Sequence, residues 1–351
     1  MRDVGIVSFS QSRHVAADTE HNEVETIIPV VRDAVEASGI PREEIGFTIS
    51  GSCDYLSGGP FTFVAGLDAV GAWPPINESH VEMDAAWALY EAWVAIQTGT
   101  VDSALIYGFG KSSLGDVHEI MTLQSDPYYV APLWPSTVHL GALQACAYLE
   151  ETGRVEADLA EVAARCQRAA LSNPNAVRSG EVTADDLLAG PVVVPPLRDA
   201  DIAPVTDGAA AMVITAGDLA TSVCERPAWI RGIDHRIDPQ AMGLRDLSVS
   251  ESARLAASKA GVGDGPIDVA ELHAQFSHEE LILVDALGLS DDVTVNPSGG
   301  PLAANPVMSA GLIRFGEAAA RITDGSAERA VAHAASGPAL QQNLVAVLEG
   351  S

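Results

Sequence analysis

The sequence predicts an α/β protein built from two duplicated halves with an insertion between them. Apolar segments of strand length alternate with amphipathic helices from end to end, which is the pattern of α/β folds. A helix, a glycine and a buried strand occur in the same order twice, once around Gly99 and once around Gly325. The 351 residues suffice for such a duplication and for a core that needs no disulfide.

The first half is predicted to span residues 1–215. Its elements before the insertion are strand Val4–Phe9, helix Glu23–Ala37, strand Ile45–Ser50, helix Asp84–Gln97 and strand Val101–Tyr107. Gly39 and Gly99 follow the two helices, as expected of glycines that end a helix in the left-handed conformation. Residues 111–205 are less regular and hold much of the proline, with one clear helical segment at Leu159–Leu171. We expect this insertion to form a cap over the sheet.

The alternation resumes at about residue 206, and the second half is predicted to span residues 216–351. From residue 206 onward the first expected element is strand Ala209–Ile214, which closes the first half. The elements expected in the second half are strand Ala228–Ile233, helix Ser250–Ala260, strand Val269–Leu272, helices Ser277–Leu287 and Met308–Thr323, and strands Ala330–Ala334 and Asn343–Leu348. When Gly325 is paired with Gly99, Ile322 also pairs with Ile96. The prediction of duplicated halves depends on this match and on the order of the elements around it.

The charge balance argues against several classes of partner. The chain has 19 basic and 48 acidic residues, which gives a formal net charge of −29. A field of that sign repels phosphate backbones, so we expect no nucleic-acid or membrane partner. Only two residues are lysines, Lys111 and Lys259, so a Schiff-base enzyme has to use one of them. Both positions have simpler structural explanations, and we expect no Schiff base.

Common cofactor and metal motifs are missing from the sequence. HEELI, which starts at His278, lacks the second histidine of a HExxH zinc helix, and neither a GxxxxGK[ST] nor a GxSxG motif occurs. The four cysteines are widely spaced and form no CxxC pair, which suits a reducing compartment. With a strand-like segment near the start and no apolar run of membrane-spanning length, we expect a cytoplasmic protein without metal or cofactor.

Several polar residues at strand ends and helix starts are candidates for a functional site. In ELHAQFSHEEL, His273 ends a strand, and Ser277 is expected to cap the next helix with Glu280 at the capping-box position. In VEMDAAW, Glu82 and Asp84 precede a helix of the first half. Imidazole titrates near neutral pH, so His273 is the strongest acid–base candidate of this group.

Two further segments of the second half carry glycine-rich bends. NPSGGPLAANP at 296–306 precedes a helix, whose first backbone N–H groups suit an anion or an oxyanion. AHAASGP at 332–338 places His333 in a buried strand that ends at a tight turn. Together with His273, these bends predict one site at the ends of the strands.

These segments resemble the thiolase superfamily. ELHAQFSHEEL is similar to the strand–helix motif of sterol-carrier-protein-x-type thiolases, whose histidine falls on His273. NPSGGPLAANPVMSAG resembles the thiolase loop that ends in Gly-His-Pro, and TGTVDSALIYGFGKSS resembles the strand after the nucleophile helix. The resemblance spans nearly the whole chain. It implies the thiolase fold, with two duplicated α/β halves in a layered αβαβα arrangement, a cap insertion and a dimer.

The sequence departs from the thiolase pattern at the reactive positions. Counted back from Gly99, the nucleophilic cysteine of the family falls on Glu82, and the loop histidine is replaced by Asn305. The second catalytic cysteine falls near Ala334 or Ala335. Without a thiolate no acyl-enzyme forms, so we expect no Claisen thiolysis.

A thiolase-like chain without these cysteines resembles the lipid-transfer-protein-like members of the family, several of which are similar to steroid side-chain aldolases. The resemblance implies retro-aldol cleavage of a β-hydroxyacyl-CoA thioester of a steroid or sterol side chain to a ketone and a shorter acyl-CoA. CoA is then part of the substrate. His273 and His333 are expected as base and acid, Asn305 as a donor to the thioester oxygen, and Glu82 as a further catalytic candidate. The expected substrate contacts are Gly299, Gly300, Ser336 and Gly337.

Each candidate also has a structural interpretation. His273 and His333 are alternatively core histidines, Glu82 complements a helix N-terminus, and Asn305 is a turn residue before Pro306. The function has alternatives as well. One is a non-catalytic thiolase-like subunit that scaffolds an active paralogue or an OB-fold partner, and another is a passive lipid-transfer protein.

The resemblance also implies partners. We expect a homodimer, or a heterodimer with a thiolase-like paralogue, together with a small OB-fold, zinc-ribbon protein. CoA carries phosphates, and a chain of net charge −29 is poorly equipped to hold them. Either some of the 17 arginines form a local basic patch, or a partner supplies the positive charge.

Overall fold

The structure is a computed structural model that describes residues 2–351. Within this range an eleven-stranded sheet forms the centre of the molecule, and a separate two-stranded sheet, β5–β6, lies in the insertion. The strands are β1 (Val4–Gln11), β2 (Phe47–Gly51), β3 (Glu78–Val81), β4 (Ser103–Lys111), β5 (Val192–Val194), β6 (Leu197–Arg198), β7 (Val205–Ala216), β8 (Ala228–Ile237), β9 (Val269–Glu271), β10 (Thr294–Val295), β11 (Asn305–Pro306), β12 (Arg329–Ser336) and β13 (Gln342–Glu349).

Helices precede or follow most strands, as the alternating pattern predicts. They are α1 (Glu23–Ser38), α2 (Asp54–Ser57), α3 (Phe63–Val70), α4 (Ala85–Gln97), α5 (Val117–Ile120), α6 (Thr137–Thr152), α7 (Glu156–Ala169), α8 (Ala184–Leu188), α9 (Gly217–Val223), α10 (Glu251–Ala260), α11 (Ser277–Leu287) and α12 (Ala310–Thr323). Among the described residues, no helix combines the length and the apolar character that a membrane span needs.

The two halves have the same strand order. The first half runs β1-β7-β4-β2-β3 across the sheet, and the second runs β8-β13-β12-β9-β10. When β5, β6 and β11 are left out, the first, fifth, fourth, second and third strands of each half follow one another. The halves meet where β1 pairs antiparallel with β8, through Gly5 opposite Trp229 and Ile6 opposite Ala228. The repeated order explains the sequence echo, because α4 and β4 correspond to α12 and β12.

Helices cover both faces of the sheet. α4 and α12 lie together in a central layer, where Leu89 and Ile96 of α4 and Leu312 and Phe315 of α12 are fully buried among strands of both halves. α1 packs on the other face of the first half, and α10 and α11 pack on the other face of the second. The layered α/β prediction is therefore confirmed.

The insertion is more helical than the sequence indicated. The predicted helix Leu159–Leu171 corresponds to α7, but α6 before it was not predicted. α6 buries residues around most of its circumference, among them Val138, Leu140, Ala145 and Tyr148, so its sequence shows little amphipathic contrast. Edge strand β3 was missed for the opposite reason, since three of its four residues are polar and none is fully buried.

Candidate functional site

A pocket of about 70 Å³ lies between the insertion and loops of both halves. Its walls come from α5 and α6, from the start of β7, from the loop before α11, from β11 and from the turn after β12. Most of the lining is apolar. The polar side chains in the lining are those of His118, Thr137, Gln275, Glu279 and Asn305.

His273 lies behind the wall of this pocket, on the loop that follows β9. It is 3% exposed, and its Nδ1 accepts a hydrogen bond of 3.3 Å from the backbone N–H of Ala335, which lines the pocket. A nitrogen that accepts carries no proton, so the neutral ring has its proton on Nε2. Within the described part of the chain, Nε2 is buried without a hydrogen-bond partner.

Burial, followed by the nearby His333 and Arg314, lowers the pKa of His273 to about 3. The Asn305 side chain opposes this shift, which places Asn305 close to the imidazole. At neutral pH the ring is therefore an uncharged donor through Nε2–H.

Asn305 is held by the short strand β11. Its backbone N–H donates to Thr206 Oγ1 at 2.9 Å, and β11 pairs in parallel with the start of β7. The side chain lines the pocket, and its Oδ1 is buried with no partner among residues 2–351. The Nε2–H of His273 is a donor and Oδ1 of Asn305 an acceptor, and Asn305 acts on the imidazole as a hydrogen-bond partner, so the two side chains form one polar pair at the pocket with no other partner in residues 2–351.

His333 has a different environment. Its Nδ1 accepts a hydrogen bond from the backbone N–H of His273 at 3.3 Å, and its Nε2 lies 2.9 Å from Asn343 Oδ1. Asn343 donates through Nδ2 to Leu340 O and Ser252 Oγ, each at 2.7 Å, so its Oδ1 is the acceptor of the Nε2–H. Burial lowers the pKa of His333 to about 4. Both ring nitrogens are occupied within the protein, which suits a residue that positions His273.

A buried ionic cluster holds the glycine-rich bend in place. Glu271 accepts hydrogen bonds from the backbone N–H of Ser298 at 3.1 Å and from its hydroxyl at 2.7 Å. Arg314 of α12 forms an ion pair with Glu271 at 2.7 Å and also donates to Ser298 Oγ at 2.6 Å. Because all three side chains are buried, the cluster ties the bend rigidly to β9 and α12.

The glycines and the serine predicted as substrate contacts do not all reach the pocket. Gly299 and Gly300 are buried, with φ of 92° and 61°, and a Cβ on either would overlap neighbouring atoms, so they form the bend and not the pocket wall. Gly337 lines the pocket, whereas Ser336 ends β12 beside it. The turn after β12 is thus part of the site, and the glycine pair shapes it from behind.

Glu82 lines a separate surface cleft. It is exposed, accepts a hydrogen bond from the backbone N–H of Asp54 at 2.6 Å, and faces the rings of Tyr55 and Phe61. The structure brings Cys53 next to it, a proximity that the sequence did not indicate. Burial and then the Glu82 carboxylate raise the pKa of the Cys53 thiol.

Two pocket residues were missed by the sequence prediction. Glu279 occupies the capping-box position that had been expected of Glu280, because α11 begins one residue earlier than a serine cap requires, with Phe276 as its N-cap. Glu280 instead pairs with Arg165. His118 belongs to the insertion, where no motif marked it. Both lie next to other polar residues, Glu279 beside His278 and Glu280, and His118 beside Glu119, so no local pattern distinguished them.

No three His, Cys, Asp or Glu side chains converge as metal ligands anywhere in residues 2–351.

No protein-family model matches the chain. Among curated proteins, it is 26% identical to an acetyl-CoA acetyltransferase of Methanothermobacter thermautotrophicus, over 93% of this chain and 94% of that protein. It is 24% identical to sterol carrier protein 2 of Rattus norvegicus, over 77% of this chain and 56% of that protein.

Two solved structures share its fold. An Ltp2–ChsH2(DUF35) aldolase superposes with a TM-score of 0.81 at 16% identity, covering 99% of this chain and 98% of that one. The acetyl-CoA acetyltransferase of Bacillus anthracis also gives 0.81, at 18% identity, covering 100% and 99%. At such identities, these likenesses establish the architecture alone.

Proposed function

Because the chain is a homologue of the thiolase superfamily with lipid-transfer-protein-like relatives, we propose that it cleaves a β-hydroxyacyl-CoA thioester by a retro-aldol reaction. The products are a ketone and a shorter acyl-CoA. The observation that carries the proposal is the buried donor Nε2–H of His273, which has no partner in residues 2–351 other than the Asn305 side chain and lies at a largely apolar pocket. The aldolase named among the structures of the same fold supports this reaction.

Retro-aldol cleavage passes through an enolate of the thioester, so it needs donors at the thioester oxygen. We assign this role to the Nε2–H of His273 and to the Nδ2–H of Asn305, whose side chain lines the pocket. His273 is suited to donation because its Nδ1 already accepts from Ala335 and its lowered pKa keeps the ring neutral. In this proposal His333 holds the backbone of His273 and exchanges no proton with the substrate.

The state of Cys53 supports a reaction without a covalent intermediate. Cys53 packs with Val117 and Met308 in a cluster that borders the pocket. Its thiol is buried and its pKa is raised, which keeps it protonated and weakly nucleophilic. Glu82, at the position expected for the family nucleophile, faces the separate cleft. Acyl transfer by the thiolase route, the alternative suggested by the acetyl-CoA acetyltransferase relatives, requires a reactive thiolate.

The proposed substrate is a CoA thioester of a steroid or sterol side chain. Support comes from the apolar lining of the pocket, contributed by residues such as Met121, Leu140 and Phe276, and from the name of the sterol carrier relative. An apolar wall favours an alkyl or ring system over a polar acyl group.

A partner protein is proposed to hold the CoA phosphates. Thirteen of the arginines in residues 2–351 form ion pairs with carboxylates of the chain itself, so few remain for a basic patch. The aldolase of the same fold is named as a complex with a DUF35 protein, which supports a small partner. Assembly with a second thiolase-like chain, identical or paralogous, is part of the same proposal.

The test is direct cleavage. The chain, isolated with its copurifying proteins, is incubated with a steroid side-chain β-hydroxyacyl-CoA, and the ketone and acyl-CoA are measured by mass spectrometry. His273→Ala is expected to lower the rate by about 100-fold or more, the effect of removing one oxyanion donor. His80→Ala, an exposed histidine of β3, is the control. Lipid binding without turnover would favour passive transfer, and activity of the complex that is unchanged by His273→Ala would favour a scaffolding subunit.

A further inference from the structure

A buried carboxyl group that no sequence motif marked faces the pocket. Glu279 lies in the first turn of α11, is 4% exposed, and lines the pocket together with Asn305 and His118. The neighbouring Glu280 is neutralised by Arg165, whereas Glu279 has no cationic partner among the residues that the structure describes. The Glu279 carboxyl group therefore lies in the pocket and forms no ion pair with a residue of the described chain.

The carboxyl group has a fixed orientation. Its Oε2 accepts hydrogen bonds from the backbone N–H groups of Gln275 at 2.8 Å and Phe276 at 3.3 Å. Its Oε1 accepts none from residues 2–351. The two N–H groups belong to the loop that also carries His273, so the carboxyl group and the imidazole are held by one short segment. A fixed carboxyl with one free oxygen is the arrangement that proton transfer to a bound substrate requires.

The surroundings of Glu279 control its protonation. Val117, Leu140, Phe276 and Val307 make the pocket largely apolar, and burial raises the pKa of the Glu279 carboxyl to about 7. The hydrogen bonds from Gln275 and Phe276 oppose that shift and do not cancel it. Both protonation states are populated near neutral pH, so the group can accept a proton and return it.

We propose that Glu279 is the acid–base group of this site, taking the proton from the β-hydroxyl of the substrate and returning it to the α-carbon. This inference rests on the proposed function. The carboxylate accepts the hydroxyl proton, the ketone C=O forms, the Cα–Cβ bond breaks, and its electron pair enters the thioester enolate. The carboxylic acid then gives the same proton to Cα, which yields the acyl-CoA and restores the carboxylate. The step needs no further reactant.

His118 is the other titratable side chain in the described lining of the pocket, and it is less suited to this transfer. Its Nδ1 lies 2.6 Å from Thr137 Oγ1, and burial lowers its pKa, which weakens it as a base. It also belongs to the short helix α5 of the insertion, whereas Glu279 belongs to a helix packed on the central sheet. His118→Gln is therefore the comparison variant.

Exchange of the α-protons of a saturated acyl-CoA in D2O tests this assignment. Exchange needs only enolate formation and reprotonation, without carbon–carbon cleavage, so it reports on Glu279 independently of the retro-aldol reaction. Glu279→Gln keeps an amide oxygen for the two backbone N–H groups, so the helix start is preserved. Glu119→Gln, an exposed glutamate of α5, is the matched control. All variants are isolated with their copurifying proteins, and their thermal unfolding is compared.

Glu279→Gln is expected to slow both exchange and cleavage by about 100-fold or more, while Glu119→Gln behaves as wild type. Wild-type rates in Glu279→Gln, or loss of exchange in His118→Gln alone, would overturn the inference and leave the retro-aldol proposal standing. A wild-type protein that exchanges but does not cleave, with exchange lost in Glu279→Gln, would support Glu279 and overturn the retro-aldol reaction. Neither reaction in the wild type would overturn both.

A second variant covers the case in which Glu279→Gln does not fold. Glu279→Asp keeps a carboxyl group but places it one methylene farther from the substrate. Exchange at least about 10-fold slower than wild type is expected, since proton transfer depends on hydrogen-bond reach. Exchange at the wild-type rate in this variant would argue against the assignment.

Discussion

Asp84 and Gly311 join the two halves of the molecule through one hydrogen bond. The Asp84 Oδ2 accepts the backbone N–H of Gly311 at 2.8 Å, and its Oδ1 accepts those of Leu312 at 3.0 Å and Ala86 at 2.9 Å. A Cβ at position 311 would lie 2.5 Å from Asp84 Oδ1, so only glycine fits there. One buried carboxylate therefore caps α4 of the first half and α12 of the second.

Replacement of Asp84 should destabilise the fold without a direct effect on chemistry. Asp84→Ala leaves N–H groups at two helix starts without an acceptor, and each lost cap costs roughly 0.5–2 kcal/mol. We expect a loss of about 1–4 kcal/mol in the free energy of unfolding, measured by urea denaturation. Asp84→Asn keeps an acceptor oxygen and should lose less. A change below about 0.5 kcal/mol in Asp84→Ala would show that the double cap contributes little.

Buried histidines should make the protein sensitive to acid. Burial lowers the pKa of His14, His273 and His278 to about 3 and that of His333 to about 4. Because an unfolded histidine titrates near 6.5, the unfolded chain binds more protons than the folded chain below that pH. The stabilising contribution of each histidine is thus complete above about pH 6.5 and is lost as the pH falls toward its folded value. Glu279 acts in the opposite direction. Because its pKa is raised, its contribution to stability decreases as the pH rises from about 4.5 to about 7.

One variant isolates this effect. His278 is fully buried and does not line the pocket, so His278→Gln removes one of these groups while a side-chain amide faces Gln144. As the pH is lowered from 6 to 4, both proteins should lose stability. The wild type should lose about 1.4 kcal/mol more per pH unit than the variant, because it has one more buried histidine to protonate on unfolding. His80→Gln, at an exposed position, is the control. Parallel pH profiles for His278→Gln and wild type would contradict the prediction.

Asn305 should contribute to turnover and little to stability. If its amide donates to the enolate oxygen, Asn305→Ala lowers kcat by about 100- to 1000-fold with a small change in KM. Steady-state cleavage of the β-hydroxyacyl-CoA gives both constants. Asn77→Ala, at an exposed site before β3, is the matched control. A rise in KM alone would mean that Asn305 binds ground state and transition state equally.

The chain by itself should bind CoA weakly. Its net charge of −29 repels the CoA phosphates, and its arginines in ion pairs are already bound to carboxylates of the chain. Calorimetric titration of the purified chain with an acyl-CoA at moderate salt should give much weaker binding than the same titration of the chain with its copurifying proteins. Tight binding by the chain alone would show that a basic patch exists and that no partner is needed for the phosphates.

Most of the fold could be predicted from the sequence because its helices and strands show periodic patterns of apolar residues. The alternation of strands and helices and the match of Gly99 with Gly325 depend on local chemistry, and both glycines have positive φ in the structure, at 72° and 79°. α6 was missed because burial on several sides removes the amphipathic contrast that sequence patterns use.

The site was only partly accessible. Asn305 lines the pocket and His273 lies against its wall, whereas His118 and Glu279 enter it through tertiary contacts that no local motif marks. Cys53 and Glu82 illustrate the same limit, because they are distant in sequence and adjacent in space. Which titratable groups share a pocket depends on packing between elements, and the sequence pattern reports each element separately.

The most direct test of the central claim is cleavage by a Cys53→Ala variant. Cys53 belongs to a buried cluster that borders the pocket and lies next to Glu82, the position expected of the family nucleophile, so this substitution separates a retro-aldol reaction from thiolase chemistry. The proposed mechanism predicts that the variant, isolated with its copurifying proteins, releases ketone and acyl-CoA from a β-hydroxyacyl-CoA at close to the wild-type rate. Loss of that release in a folded Cys53→Ala variant, or its absence in the wild type, would contradict the mechanism.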